Sequence, residues 1–271
     1  MTAPASPSLA QIEALLADHG GSDLAYLRHH WQRFVETCRR IQVSRPLPPG
    51  ALVLDIGAHW LHQSVLYALG GQRVIALDLP ASLTAAEVQS LARALAIELI
   101  VEPELERAAA LAALPTDSVD LVLCTELIEH IAFNPVALWR AIHRVLKPGG
   151  RIVITTPNYY ALRGRAWGLG RFLRGGGGGL DVRALLGLHS HSHHWKEYSA
   201  RELKDYFRLL SPDFQLRRCD YVEEHAPLAM SSTAGRLARR VETLLPPLRP
   251  SLYLEIELGR KHHGITIAPG W

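Results

Sequence analysis

Short apolar runs alternate with longer segments of helical periodicity along most of the chain. Two of these runs, residues 51–56 and 74–77, flank an amphipathic span at residues 61–69 that Gly70 and Gly71 end. A period of two favours a strand and a period of 3.6 favours a helix. The order strand, helix, strand therefore predicts a parallel crossover unit.

The same alternation continues downstream. Further strands are predicted at residues 97–101, 119–124, 151–155, 214–222 and 251–258. Helices are predicted at residues 9–17, 24–41, 82–95, 135–146, 200–209 and 231–245. This spacing predicts an α/β fold: a Rossmann-like, seven-stranded, mostly parallel sheet with helices on both faces and an antiparallel C-terminal hairpin.

The predicted elements divide the chain into two parts. Residues 1–50 form an N-terminal helical lead-in, in which Ser22 and Asp23 can cap the long helix that we expect to lie across the sheet edge or the mouth of the site. Residues 51–271 are predicted to form the α/β domain, with insertions at 158–195 and 223–250. We expect the two insertions to build substrate recognition.

Composition narrows the class of protein. The 271 residues carry a formal net charge of +3, which predicts no dedicated nucleic-acid surface. Three widely spaced cysteines favour reduced thiols over a disulfide framework. No apolar run approaches the ~20 residues of a membrane span, and the N-terminus lacks a signal-peptide pattern. The expectation is a cytoplasmic protein, with no prediction of its oligomeric state.

The first crossover unit carries the candidate cofactor chemistry. Asp55-Ile56-Gly57 ends the first strand just before a helix, where backbone N–H groups can meet a ligand. Asp78 ends the second strand, and a carboxylate there can accept hydrogen bonds from both hydroxyls of a ribose. These residues predict a pocket for a nucleoside cofactor.

Longer motifs follow in the second half of the domain. They are the acid-containing strand and Glu-His turn at residues 118–130, Leu-Lys-Pro-Gly-Gly at 146–150 and Thr-Pro-Asn at 156–158. With the Asp-x-Gly loop and Asp78, the chain over residues 51–222 resembles the class I S-adenosylmethionine (SAM)-dependent methyltransferases. The resemblance implies SAM as methyl donor and S-adenosylhomocysteine as product.

The resemblance also implies roles for individual residues. Asp55, Gly57, Ala58 and His59 form the cofactor loop, and Asp78 binds the ribose while Leu79 lies against the adenine. Glu104 and Leu105 correspond to the pair that flanks the adenine, although Glu102 competes for that assignment. Cys124 and Thr125 end the fourth strand beneath the cofactor, or simply pack there.

The loop departs from the family pattern at two positions. His59 and Leu61 stand where the family usually has glycine, the residue that permits the closest backbone approach to a ligand. We interpret the change as variation within the family. A non-catalytic nucleoside-binding scaffold is the alternative that it leaves open.

A candidate metal site follows the fourth strand. If this segment is helical, Glu126, Glu129 and His130 share one face and can hold a divalent ion such as Mg²⁺. Ubiquinone-biosynthesis O-methyltransferases and small-RNA 2′-O-methyltransferases have a similar Glu-x-x-Glu-His. The second family adds a histidine from His-x-x-Glu-aromatic, a motif that His194 begins here. The alternative is a structural motif without metal, in which His130 or His194 remains a candidate general base.

These features predict an O-methyltransferase that modifies a hydroxyl of a small molecule, namely a sugar, a sugar-nucleotide or a phenol or quinol. A terminal ribose of RNA is an alternative acceptor, which the modest charge argues against. In the insertions, His189, His191 and His193 are interpreted as loop residues. Arg163, Arg165, Arg171 and Arg174 are interpreted as a solvated face, or else as ligands of an anionic substrate. The helix bearing Arg236, Arg239 and Arg240 is expected to pack its leucines over the sheet, with a membrane surface or a partner as alternatives.

Overall fold

A seven-stranded sheet forms the centre of the molecule, of which this computed structural model describes residues 7–21, 23–162, 193–223 and 233–268. The strands are β1 Leu52–Ile56, β2 Arg73–Asp78, β3 Glu98–Val101, β4 Val119–Thr125, β5 Leu146–Pro157, β6 Phe214–Val222 and β7 Ser251–Leu258. Their order is β3-β2-β1-β4-β5-β7-β6. The first five strands pair in parallel, and β7 runs antiparallel to both β5 and β6. The predicted sheet and its antiparallel hairpin are confirmed.

Eight helices surround the sheet within the described residues. They are α1 Leu9–Asp18, α2 Leu24–Ser44, α3 His62–Leu69, α4 Pro80–Leu83, α5 Ala86–Ala94, α6 Val136–Val145, α7 Ala200–Leu210 and α8 Thr233–Leu244. The single helix predicted at 82–95 is wrong, because Ala85 is extended and separates α4 from α5. The Thr84 hydroxyl donates to the Pro80 carbonyl at 2.7 Å, a local bond that competes with continued helix.

The two faces of the sheet bury separate apolar clusters. Leu52, Leu54 and Ile56 of β1 point into one cluster, which also holds the fully buried Trp139 and Phe207. Val53, between them in sequence, points into the other cluster with residues of α2 such as Leu27 and Phe34. Alternate strand residues face opposite sides, so near-continuous apolar runs are buried on both.

A buried ion pair between β5 and β7 anchors the C-terminal end of the long helix α2. Arg151 and Glu255 lie on neighbouring strands with 2.8 Å between Nη1 and Oε1, and both are almost fully buried. The Ser44 hydroxyl donates to Glu255 at 2.7 Å, and Arg151 donates to the Arg45 carbonyl at 2.5 Å. Asp23 caps the other end by accepting from the Tyr26 N–H at 2.9 Å, while Ser22 lies outside the described residues.

The helix α8 differs from its predicted packing. Leu237, Leu244 and Leu245 are 62%, 79% and 53% exposed, so the expectation that its leucines cover the sheet is wrong. Val241 is half-buried, and the 3₁₀ turn Pro246–Leu248 that follows connects the helix to β7. In the described part of the chain, no helix has the length and apolar character needed to cross a bilayer.

Candidate functional site

The carboxyl ends of β1 and β2 form a tight loop around Gly57. Its N–H and that of Ala58 both donate to the Leu77 carbonyl, at 2.8 and 3.3 Å. Gly57 has φ +81°, and a Cβ placed there would lie 3.2 Å from Leu127 Cδ1. Only glycine meets both conditions without strain, so the loop conformation explains this residue.

The loop continues through the two positions that depart from the family pattern. His59 has φ +50° and Leu61 has φ +65°, so both adopt the left-handed conformation that favours glycine. An L-residue there costs roughly 1–2 kcal/mol. Leu61 is fully buried, and the His59 ring lies 4.9 Å from the Tyr26 ring of α2. These contacts offset the strain and keep the loop in its conformation.

Asp78 is oriented by the loop that it faces. Its Oδ2 accepts a hydrogen bond from the His59 N–H at 2.5 Å, and its Oδ1 accepts one from the Leu79 N–H at 2.6 Å. A carboxylate oxygen has a second lone pair, so each can still accept a hydroxyl. Asp78, which is predicted to bind the ribose, and Leu79 therefore lie beside the loop at the end of β2.

Asp55 lies beneath the loop and is fully buried. The Ser64 hydroxyl donates to its Oδ2 at 2.6 Å, while Oδ1 has no hydrogen-bond partner among the described residues. Burial raises the pKa of Asp55 to about 7. This residue supports the loop from below through the first turn of α3.

The residues after β3 have different environments. Glu102 is buried and accepts from the N–H groups of Glu104 and Ala110 at 3.1 and 2.8 Å, so it fixes the turn. Glu104 is exposed and pairs with Arg107 at 2.7 Å, while Leu105 packs partly against the core. The assignment of Glu104 and Leu105 to the adenine stays a prediction.

Cys124 and Thr125 end β4 beside the loop. Cys124 is buried in the apolar cluster, and burial raises the pKa of its thiol above the usual range. Thr125 is half-buried and pairs with Thr155 of β5. Both positions are compatible with the predicted place beneath the cofactor.

A second group of polar residues gathers beyond the end of β4. One donor atom from each of Glu129, His130 and His194 lies within 4.8 Å of the other two. The condition that this segment is an α-helix is not met: residues Ile128–His130 form a single 3₁₀ turn, and Glu126 has φ +51°. Tertiary contacts, not a shared helical face, bring the three side chains together.

Those contacts are hydrogen bonds to the segment that carries His194. The N–H groups of Trp195 and Lys196 donate to the Glu129 carbonyl at 2.7 and 3.4 Å. The His193 carbonyl lies 3.0 Å from His130 Nδ1. A carbonyl can only accept, so Nδ1 carries the proton and the Nε2 lone pair of His130 is available to a ligand.

The electrostatics of this group follow from burial. Burial, and then the neighbouring Glu126, raise the pKa of Glu129 well above its usual range. Its Oε2 accepts from the Thr156 hydroxyl at 2.9 Å, whereas Oε1 has no hydrogen-bond partner among the described residues. Burial, and then His194, lower the pKa of His130, which favours the neutral imidazole. A carboxylate and two imidazoles with an unused buried oxygen fit a divalent metal ion.

Glu126, the fourth predicted metal ligand, makes a contact with α2 that the sequence did not predict, and its part in a metal site stays a prediction. Its Oε2 lies 3.5 Å from Nη1 of Arg33, a buried residue of α2 that also donates to the Tyr26 hydroxyl at 3.0 Å. The pair links the lead-in helix to the space between the cofactor loop and the three-residue group. Sequence reasoning missed Arg33, because nothing in the apolar stripe of α2 marks it.

Glu197, the glutamate of the His-x-x-Glu-aromatic motif, contacts His194. Its Nδ1 lies 3.4 Å from Oε1 of Glu197, and its ring centroid lies 4.9 Å from that of His130. His189, His191, Arg163, Arg165, Arg171, Arg174 and the glycines at 175–179 lie outside the described residues.

Comparison with known proteins finds a methyltransferase domain in this chain. Residues 54–154 match the family described as "Methyltransferase domain". A curated ubiquinone biosynthesis O-methyltransferase from Xanthomonas oryzae pv. oryzae is 38% identical over 111 residues, which cover 40% of this chain and 44% of the relative. The matched segment therefore spans less than half the length of that relative.

Solved structures share the fold at low identity. One is a putative methyltransferase in complex with the Haloferax volcanii Trm112 methyltransferase activator, with 19% identity, a TM-score of 0.56 and coverage of 92% of this chain and 98% of the other. Another is a Haemonchus contortus phosphoethanolamine N-methyltransferase bound to S-adenosylhomocysteine, with 16% identity and a TM-score of 0.52 over 85% and 53% of the two chains. Both comparisons show the fold.

Proposed function

We propose that this chain, which is a class I SAM-dependent methyltransferase by its match over residues 54–154, methylates a small molecule. The methyl group moves from SAM to a hydroxyl oxygen of that molecule. The acceptor is a sugar, a sugar-nucleotide or a phenol or quinol. In this reaction a carbon–oxygen bond forms as the sulfur–methyl bond breaks, and the hydroxyl proton leaves to a base. The second product is S-adenosylhomocysteine.

The first crossover unit would bind the donor. Asp78 is already oriented by two backbone N–H groups, so it can receive the ribose hydroxyls without rearranging. The loop from Gly57 to His59 would pass beside the methionine moiety, and Leu79, Glu104 and Leu105 would border the adenine. Bound there, SAM supplies a methyl group on a positively charged sulfur.

The observation that carries the acceptor proposal is the convergence of Glu129, His130 and His194 within 4.8 Å. These three residues would hold a divalent ion such as Mg²⁺ or Mn²⁺. The ion would supply positive charge that stabilises the oxygen as its proton leaves. If no metal is bound, the Nε2 lone pair of His130, or an imidazole nitrogen of His194, is suited to accept the proton near neutral pH.

The surroundings of this group favour a ring-shaped acceptor. Tyr159 and Tyr160 follow β5, whose Thr156 donates to Glu129, and they are 49% and 54% exposed. Trp195 adjoins His194 and is 46% exposed. Aromatic faces near a polar group bind the faces of sugars or phenols while the polar group engages a hydroxyl.

The first test is calorimetric titration of the protein with SAM, with and without Mn²⁺, followed by a radiolabelled methyl-transfer screen over sugars, sugar-nucleotides and phenols. We expect SAM binding without metal and turnover that falls at least tenfold in Glu129→Gln. Glu106→Gln, which changes an exposed carboxylate elsewhere, is the control and should behave as wild type. Failure to bind SAM would favour a non-catalytic scaffold, and a shift of short RNA in a gel would favour the ribose acceptor.

A further inference from the structure

An open cavity of about 460 Å³ lies at the edge of the sheet opposite the candidate site. Because β5 runs parallel to the strands that end at the cofactor loop, the residues around Gly149 at its beginning lie at that opposite edge. The end of β7 lies there too, since β7 is antiparallel to β5 and pairs Glu257 with Arg151. From Arg151, β5 continues for six residues to Pro157, a distance of roughly 20 Å. The cavity is therefore separate from the candidate site.

We call this space the basal cavity. Its lining includes Gly149, Arg217, Glu257, Arg260, His262 and His263.

Cationic and N–H-bearing side chains dominate this lining. Arg260, His262 and His263 belong to the loop that follows β7, and all three are exposed. Arg260 makes no side-chain hydrogen bond or ion pair with the described residues, so its five N–H donors are available to a ligand. Arg217 of β6 lies on the other side of the cavity, and its side chain is 51% exposed.

Glu257 is the exposed acid of the lining, and two arginines compensate its charge. Its Oε1 lies 2.8 Å from Nη2 of Arg217, and its Oε2 lies 3.6 Å from Nη1 of Arg45, the residue that follows α2. Arg217 uses one of its five N–H donors in this pair and keeps the others. The cavity therefore retains positive charge from Arg260 and unused guanidinium donors on both sides.

Asp213 fixes the loop that carries the cations. Its carboxylate is buried and accepts from the N–H groups of His263 and Gly264 at 3.1 and 2.9 Å. It also accepts from Nε2 of His143 at 2.9 Å. Residues 259–264 form neither helix nor strand, so these bonds hold the loop. A loop ordered in advance can bind a ligand without a further entropic cost.

We propose that the basal cavity binds the phosphate group of a small phosphorylated metabolite. Arg217 and Arg260 would donate to the phosphate oxygens, because the fork of N–H groups on a guanidinium matches phosphate geometry. His262 and His263 would add imidazole N–H donors. A volume of about 460 Å³ also leaves room for a sugar-sized body beside the phosphate. A single recess suits a small ligand, whereas a nucleic-acid backbone requires an extended basic stripe.

The inference concerns a second site and does not depend on the proposed methyl acceptor. The test is calorimetric titration of the full chain with ribose 5-phosphate, ribose or inorganic phosphate, with S-adenosylhomocysteine present to occupy the cofactor site. We expect ribose 5-phosphate to bind, inorganic phosphate to bind about threefold more weakly and ribose not to bind.

Substitution of the two arginines tests the lining directly. Arg217→Gln with Arg260→Gln should weaken the binding of ribose 5-phosphate by about tenfold or more, because charge-assisted hydrogen bonds are lost. Arg208→Gln, at an arginine of α7 whose side chain is 70% exposed, is the control and should bind as wild type. Circular dichroism and a separate titration with SAM show whether each variant remains folded, and they keep this inference distinguishable from the proposed function.

Imidazole signals in nuclear magnetic resonance spectra locate the ligand. Ribose 5-phosphate should shift the signals of His262 and His263 and leave those of His130 and His194 unchanged. Shifts at His130 and His194 instead would place the ligand at the proposed acceptor site and would overturn the proposal.

Three calorimetric outcomes would also contradict it. They are an absence of binding by wild type, equal binding by wild type and the double arginine variant, and equal affinity for ribose 5-phosphate and inorganic phosphate. The last result would replace the metabolite with free phosphate as the ligand.

Discussion

The two ends of the candidate site are built in different ways. At the cofactor end, Gly57, His59 and Asp78 are close in sequence and are held by bonds within one crossover unit. At the proposed acceptor end, the His130 ring contacts the His193 carbonyl, 63 residues away in the sequence. The first arrangement follows from local structure, whereas the second depends on how a long connection returns to the sheet. A substitution at the first end should therefore affect the cofactor loop alone. A substitution at the second end should also weaken the contact between the two distant segments.

The largest expected effect is the pH dependence that the buried Asp55 gives to the stability of the folded protein. Burial raises the pKa of Asp55 from 3.8 to about 7 in the folded protein, so the folded state holds a proton that the unfolded state has lost. The contribution of Asp55 to the free energy of unfolding should then be largest below pH 3.8 and fall by about 4 kcal/mol as the pH rises to about 7.

Asp55→Asn should remove most of this pH dependence, because the amide does not titrate. Urea unfolding from acid to neutral pH measures it. Asp205→Asn, at a side chain of α7 that is 49% exposed, is the control and should keep the wild-type slope. Parallel curves for Asp55→Asn and wild type would contradict the assignment.

The next effect concerns the link between Asp78 and the loop. Asp78→Ala removes both acceptors of backbone N–H groups as well as the ribose ligand, so we expect SAM affinity to fall about 100-fold. Asp78→Asn keeps one acceptor oxygen and should lose about tenfold. Calorimetry distinguishes the two, and equal affinity of all three proteins would remove Asp78 from the cofactor site.

A smaller effect would separate the two ends. Glu197 lies 3.4 Å from His194 Nδ1 and orients that ring. Glu197→Gln should weaken Mn²⁺ binding by about tenfold, as substitutions behind a metal ligand do, and should leave SAM affinity unchanged. Paramagnetic titration with Mn²⁺ measures this, with Glu106→Gln as the control. Loss of SAM affinity instead would show that the ends are not independent.

The smallest effect concerns the strain in the loop. His59→Gly relieves the cost of φ +50° but loses the Tyr26 contact and adds freedom to the unfolded chain. We expect stability to change by about 1 kcal/mol or less, with SAM affinity undiminished. Ala96→Gly, at φ +52° in the turn before β3, is the matched control away from the site. A tenfold loss of SAM affinity in His59→Gly would show that the imidazole contacts the cofactor.

The accuracy of the sequence predictions varies with the range of the interactions. Six strands agree with their predicted bounds within one residue, because both faces of the sheet are buried and each apolar run is continuous. The fifth was predicted to begin at Arg151 but begins at Leu146. The helix at 82–95 was wrong because a break at Ala85 depends on local hydrogen bonds that periodicity does not reveal. The packing of α8 was wrong because an amphipathic pattern shows which residues share a side, not what covers them.

The sequence by itself determined the crossover unit, the glycine at a left-handed position and the acid that ends β2, because these depend on neighbours a few residues apart. It also placed Glu129, His130 and His194 in motifs. Only the tertiary structure decided that these three converge and that Glu126 pairs with Arg33. Those arrangements require backbone carbonyls and side chains from distant segments to meet. The periodicity of the sequence does not predict contacts between distant segments.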